Sequence, residues 1–183
     1  MFIMKSIVYL SFAYALSELL LMFVKRSKGE TVKTRNDHGS LIFLWLMITI
    51  GFTAGFFLSR PVNHFWTGFG FSFIIAGLII RWIAIMQLGK SFTVDVAITN
   101  AADLKTDGIY ARVRHPSYLG MLLVISGFAF TMCSFYSYIV LVIPVFTAVV
   151  YRISVEEKVL YDEFGNTYSA YKSKTKRLIP GIY

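Results

Sequence analysis

Four long apolar runs constrain this chain before any motif is read. Residues 7–24 carry a single charge, Glu18. Residues 41–58 carry none, residues 65–88 carry only Arg81, and residues 118–151 carry none over about 34 positions. A helix crossing the roughly 30 Å hydrocarbon core of a bilayer needs about 20 mostly apolar residues. The first three runs each supply one span. The fourth is too long for one and sufficient for two short ones, with the turn at Cys133, Ser134 and Ser137. Pro144 is predicted to kink the fifth helix. The expected fold is all-α: an integral membrane bundle of about five transmembrane helices in one domain, 1–183. The first two spans lie in 1–64, and the other three, with their connecting loop and tail, in 65–183. The first run is too long for a signal peptide and lacks a small-x-small cleavage site before Lys25 and Arg26, so it is read as a span.

Composition agrees. Hydrophobic residues make up 56% of the chain and charged residues 15%, against about 25% charged in soluble domains. The net charge of +8 does not indicate nucleic acid, because the basic residues flank apolar runs and do not form one face of a soluble fold. Their distribution reports topology. Segment 25–38 holds five Lys/Arg, segment 89–116 four and the tail from Arg152 six, whereas the opposite side has only Lys5 and Arg60. Five spans put the three basic segments on one side. The positive-inside rule makes that side cytoplasmic and places the N-terminus outside. Cys133, the single cysteine, excludes a disulfide framework or a cysteine metal cluster within the chain.

Two polar clusters therefore face one compartment. In segment 106–120, Asp107-Gly108 reads as a turn, and Pro116 fits the first turn of a helix, where its missing N–H costs nothing. A helix start offers free N–H groups to an anion, and Tyr110, His115 and Tyr118 add polar tips. The plainer reading makes Arg112 and Arg114 topology anchors and the tyrosines an interfacial belt. The second cluster is Arg152, Glu156 and Glu157. Arg152 and Glu156 are four apart and share a helix face. Either they form a salt bridge at a span end, or Arg152 binds a substrate carboxylate through its planar fork while Glu156 holds the ammonium or ribose of a cofactor.

Other features read as structural. Arg81 is expected to pair with Glu18 or lie near a boundary. His38 and His64 sit in loops without metal-site spacing. Gly68-Phe69-Gly70 lacks the strand–turn–helix setting of a dinucleotide site, and no Gly-x-Ser-x-Gly elbow is present. The basic run 172–177 reads as a surface for anionic headgroups.

Gly108-Ile109-Tyr110-Ala111-x-x-Arg114-His115-Pro116-Ser117-Tyr118-x-Gly120 resembles the signature of the isoprenylcysteine carboxyl methyltransferase family, within the wider phospholipid-methyltransferase-like group. Arg152-x-x-x-Glu156-Glu157-x-x-Leu160, then Phe164-Gly165, Tyr168, Tyr171-Lys172 and Leu178-Ile179-Pro180-Gly181, follow in the same order and spacing. The resemblance runs from about Ala76 to the C-terminus and is of the compact prokaryotic type. It implies a cytoplasmic S-adenosylmethionine pocket closed by the loop before the fourth helix and the C-terminal tail. The cofactor-binding residues it implies are Ala102, Asp103, Leu104, Lys105 (mainly through backbone), Tyr110, His115, Pro116, Ser117, Tyr118 and Glu156. Arg152 would orient the substrate carboxylate, making Arg152 and Glu156 the catalytic pair. The glutamine that eukaryotic members use upstream has no counterpart in 94–99.

The implied chemistry is O-methylation of a carboxylate on a lipophilic or lipidated substrate drawn from the bilayer. Such a nucleophile is already ionised and needs no general base, whereas an ammonium would. Methylation of a phospholipid amine or of a phenolic, polyketide-type lipid uses the same cofactor. A membrane steroid-reductase-like enzyme would bind NADPH instead. A non-enzymatic membrane protein is the remaining alternative. Neither nucleic acid nor an obligate protein partner is expected.

Overall fold

The computed structural model describes residues 2–24, 32–35, 39–89, 97–99 and 104–181. They form five helices, α1 (Phe2–Val24), α2 (Ser40–Phe57), α3 (His64–Leu88), α4 (Pro116–Thr131) and α5 (Phe135–Lys174), with a 3-10 turn at Gly108–Ala111. Helices α2, α3 and α5 are long and apolar enough to cross a membrane, while Tyr9–Leu21 and Pro116–Thr131 are shorter apolar segments. The protein is an integral membrane helical bundle. Phe56, Phe57, Phe65 and Ile42 stand exposed on its outside, where they face lipid.

The uncharged run folds as the expected hairpin. Helix α4 ends at Thr131, Cys133 takes a positive φ of 53°, and Ser134 caps α5, its side chain accepting from the Ser137 N–H at 3.3 Å. Asn63 caps α3 in the same way, accepting from the N–H groups of Phe65 and Trp66 at 3.0 and 3.3 Å. At Pro144 the dihedrals of α5 remain helical, and the departure comes at Gly165, with φ 50° and ψ −122°. Proline's own φ is close to the helical value, which lets α5 continue past Pro144 although a backbone hydrogen bond is lost there.

Lipid offers helices no hydrophobic reward for leaving it, so close backbone approach between small residues holds such bundles together. Helices α3 and α4 use glycines one heptad apart. A Cβ at Gly70 would lie 2.6 Å from the Gly127 carbonyl oxygen, and one at Gly77 would lie 2.6 Å from that of Gly120. Helix α2 meets α5 through Gly51 and Gly55, and the Ser137 hydroxyl donates to the Gly55 carbonyl at 2.8 Å. The main core joins Leu44, Met121, Ile125, Leu141, Val145 and Val149 to Leu178 of the tail.

Two short strands, β1 (Val32–Arg35) and β2 (Ala97–Thr99), pair antiparallel. This small ribbon ties the loop after α1 to the loop after α3. The tail joins them: the N–H groups of Arg114 and His115 donate to the Lys176 and Arg177 carbonyls at 2.8 and 3.1 Å. The described parts of the three basic segments therefore lie together.

Candidate functional site

Where they meet, the loop before α4 is built around its glycine. Gly108 has φ 60°, and a Cβ there would collide with Gln87 Oε1. Gln87, at the end of α3, accepts the Ile109 N–H at 2.9 Å and so clamps the turn. The Tyr110 hydroxyl donates to the Ala84 carbonyl at 3.2 Å, and its own carbonyl accepts from the Tyr171 hydroxyl at 2.7 Å. Burial, followed by the nearby Glu156 charge, pushes the Tyr110 phenol well above its ordinary range, so it stays a neutral donor. Leu104 and Lys105 lead into the turn. Lys105 Nζ meets Asp107 Oδ1 at 2.8 Å, and its hydrogen bond holds the exposed Asp107 carboxyl below the usual value. Ala102 and Asp103 lie outside the described residues.

The start of α4 places the next groups. Pro116 occupies its first turn and His115 precedes it, buried. The His115 ring stands between two carboxylates, with Nε2 3.4 Å from Glu157 Oε1 and Nδ1 3.8 Å from Glu156 Oε1. The Tyr118 hydroxyl accepts from Arg152 Nε at 2.9 Å and stands close enough to the Glu156 carboxylate to donate to it. Arg152 is 2% exposed, and its Nη1 donates to the Ser40 hydroxyl at 2.8 Å. Four of the expected residues, His115, Tyr118, Arg152 and Glu156, thus converge. Ser117 turns elsewhere: its hydroxyl and carbonyl accept from Arg81 Nη1 at 3.0 and 3.1 Å, while Arg81 grips Glu18 with its other nitrogens at 2.7 and 2.6 Å. Glu18, Ser40, Arg81, Tyr118 and Arg152 are one polar group from each helix, α1 to α5.

Glu157 is the group that local reasoning underrated. Its buried carboxylate takes Arg114 Nε at 3.0 Å, Arg177 Nη2 at 2.8 Å and Lys172 Nζ at 3.6 Å. Arg114 also donates to the carbonyls of Lys172 and Thr175. Arg114 is therefore more than a topology anchor, and Arg177 and the half-exposed Lys172 also reach this carboxylate, while Lys174 and Lys176 stand exposed. Helix rotation explains the division: a step of one residue turns about 100°, so Glu156 and Glu157 serve different faces. Ser40 and Gln87 were also missed. Gln87 carried a faint signal as an amide at the end of an apolar run, and Ser40 carried none.

Burial alone would raise the Glu157 carboxyl, but hydrogen bonds from His115 and Arg177, the His115 charge and Arg114 hold it far below its ordinary 4.5. The contribution of this hub to stability is complete above that ordinary value and is lost as pH falls toward the lower folded one. Thermal melting between about pH 6 and about pH 3 should fall more steeply for the wild type than for Glu157→Gln. Parallel profiles would remove Glu157 from this role.

Fold and site together define a polytopic helical membrane protein with a buried arginine and two carboxylates gathered at one end of the bundle. Residues 69–162 match the model of the isoprenylcysteine carboxyl methyltransferase family. The chain belongs to that family. It is 35% identical over 123 residues to protein-S-isoprenylcysteine O-methyltransferase B of Arabidopsis thaliana, covering 66% of this chain and 62% of the relative. To the Schizosaccharomyces pombe protein-S-isoprenylcysteine O-methyltransferase it is 37% identical over 112 residues, covering 60% and 48%. A solved eukaryotic intramembrane Ras methyltransferase superposes with a TM-score of 0.62 at 25% identity, over 79% of this chain and 50% of that one. The chain spans about half to three-fifths of the length of these relatives.

Proposed function

We propose that this chain is a membrane methyltransferase that uses S-adenosylmethionine to O-methylate a carboxylate on a lipophilic substrate, with an S-isoprenylated cysteine as the class of acceptor that its relatives' names suggest. Arg152 carries the reading. Its buried guanidinium lies one helical turn from the Glu156 carboxylate, with the Tyr118 hydroxyl between them. The donor set suits the cofactor, because a carboxylate whose side chain is 33% exposed beside phenol and imidazole groups can hold an ammonium or ribose hydroxyls. When bound, S-adenosylmethionine supplies a methyl group already activated by its sulfonium. Glu156 would hold its polar donors, with Tyr110, His115, Pro116, Tyr118, Leu104 and Lys105 beside it; Ser117 would act only through its place at the start of α4, and Ala102 and Asp103 stand as what the family resemblance implies.

Arg152 orients the acceptor. A carboxylate competes with the neutral hydroxyls of Tyr118 and Ser40 for the guanidinium, and the charge-assisted bond is the stronger. No residue has to remove a proton. The tail, hydrogen-bonded over the loop, excludes water from the reacting groups. With the basic end in the cytoplasm, the cofactor enters from solution and the substrate from the bilayer. The family match favours this reading over the NADPH-dependent reductase.

Calorimetric titration of the purified protein tests it: S-adenosylmethionine binds and NADPH does not, and the reverse result would overturn it. Glu156→Ala should weaken S-adenosylmethionine about 10- to 100-fold, the value of a charged hydrogen bond. Arg152→Lys, which keeps the charge but loses the fork, should lower kcat/KM for the acceptor about a hundredfold with little change in cofactor affinity. Full activity in both variants would dismiss these assignments.

A further inference from the structure

Past the break at Gly165, α5 carries a hydroxyl with nothing to bond to. Tyr168 is 1% exposed, and its oxygen is the single buried side-chain N or O atom without a hydrogen-bond partner among the described residues. Sealing an unpaired hydroxyl away from water costs free energy comparable to a hydrogen bond, and a phenylalanine of the same shape would avoid that cost. Packing therefore does not explain the oxygen.

The Tyr168 ring lies 6.2 Å from that of Tyr171, whose hydroxyl donates to the Tyr110 carbonyl in the loop before α4, and Glu157, Arg114, Glu156 and Tyr171 are the ionisable groups near enough to act on it. Three of them are engaged elsewhere. Glu157 takes Arg114, Arg177 and Lys172, and Arg114 is held by Glu157 and two backbone carbonyls. The Tyr171 hydroxyl is committed to the Tyr110 carbonyl. The fourth, Glu156, is the cofactor carboxylate of the reading above. The Glu157 charge is offset by its own cations, which leaves Glu156 as the carboxylate that could share a cationic or hydroxyl donor with this oxygen. Tyr168 also lies beyond the matched segment 69–162.

We propose that Tyr168 is a binding residue of the cofactor site, its hydroxyl oxygen accepting a hydrogen bond from a donor group of S-adenosylmethionine, the ammonium or a ribose hydroxyl. The proposal rests on the methyltransferase reading. It requires the site to rearrange slightly around the ligand, since the oxygen is enclosed before binding.

Tyr168→Phe tests it with two readouts that need no turnover, the melting temperature without ligand and calorimetric affinity for two non-reacting probes. S-adenosylhomocysteine has both the amino-acid end and the ribose, and 5′-methylthioadenosine has only the ribose. The variant should melt at or above the wild-type temperature and bind S-adenosylhomocysteine about tenfold more weakly. An equal loss for methylthioadenosine assigns the bond to the ribose, and no loss for it assigns the bond to the ammonium. Unchanged affinity for both probes overturns the proposal, as does a melting temperature that falls in step with affinity, which would mean that the hydroxyl serves the fold. Failure of the wild type to bind either probe overturns the methyltransferase reading and this proposal with it.

Discussion

Truncating Glu18 to alanine is expected to destabilise the protein by about 3–5 kcal/mol, the cost of leaving one member of a buried ion pair alone. The geometry supports the upper part of that range. Two Arg81 nitrogens reach the two Glu18 oxygens at 2.7 and 2.6 Å, and both side chains are at most 10% exposed. Without Glu18 the guanidinium would keep the Ser117 hydroxyl and carbonyl as acceptors but no counter-charge, in surroundings that solvate a cation poorly. The pair as a whole contributes less than this single truncation suggests, because its own desolvation offsets much of its attraction. The double change Glu18→Leu with Arg81→Met should therefore recover most of the lost stability. Melting of the single and double variants in one detergent measures the coupling. A Glu18→Ala variant within a degree of wild type would refute the argument. Since Arg81 also holds Ser117 at the start of α4, the single variant should disturb the site, although Glu18 never reaches it.

Substitution at the crossing of α3 and α4 should be comparably severe. A Cβ at Gly120 would lie 2.6 Å from the Arg81 backbone nitrogen and 2.7 Å from the Gly77 carbonyl oxygen. These are backbone atoms and cannot swing aside as a flexible side chain would, so the helices must separate. Overpacking of this kind costs about 1–3 kcal/mol and sometimes more. Alanine at Gly120 belongs within that range, and leucine should prevent stable folding. Separation would also pull Arg81 from Ser117, so residual activity should fall faster than the melting temperature. Gly68, on the facing helix α3, provides the control: a Cβ there meets nothing within 4 Å, and Gly68→Ala should be neutral. Equal melting of the Gly68 and Gly120 alanine variants would show that close approach does not hold these helices together.

Much of the architecture was legible in the residue order because lipid simplifies the rules. Every backbone polar group must be satisfied within its own helix, so run length alone yields the number of helices. An uncharged run of about 34 residues has to turn once, and the turn falls at the Cys133-Ser134 step. The pairing of Arg81 with Glu18 follows from the same economy, since two opposite charges in separate spans have few other partners. The shared face of Arg152 and Glu156 follows from their spacing of four.

Long-range placement was not legible. Ser40 meets Arg152 across 112 positions of chain, and Arg114 meets the Thr175 carbonyl across 61, and no local period marks either. Whether Glu156 or Glu157 turns into the charged hub depends on the rotation of α5 about its axis, which packing against α2 and α4 sets. No local signal told that the backbone of the basic tail is hydrogen-bonded to the loop before α4. The isolation of the Tyr168 hydroxyl is a property of everything packed around it. Periodicity and charge by themselves determined the helices, their hairpin and the grouping of the basic segments. Only the tertiary structure decided which charges meet there, because side chains distant in sequence acquire partners only once helix rotation and loop closure bring them within hydrogen-bonding distance.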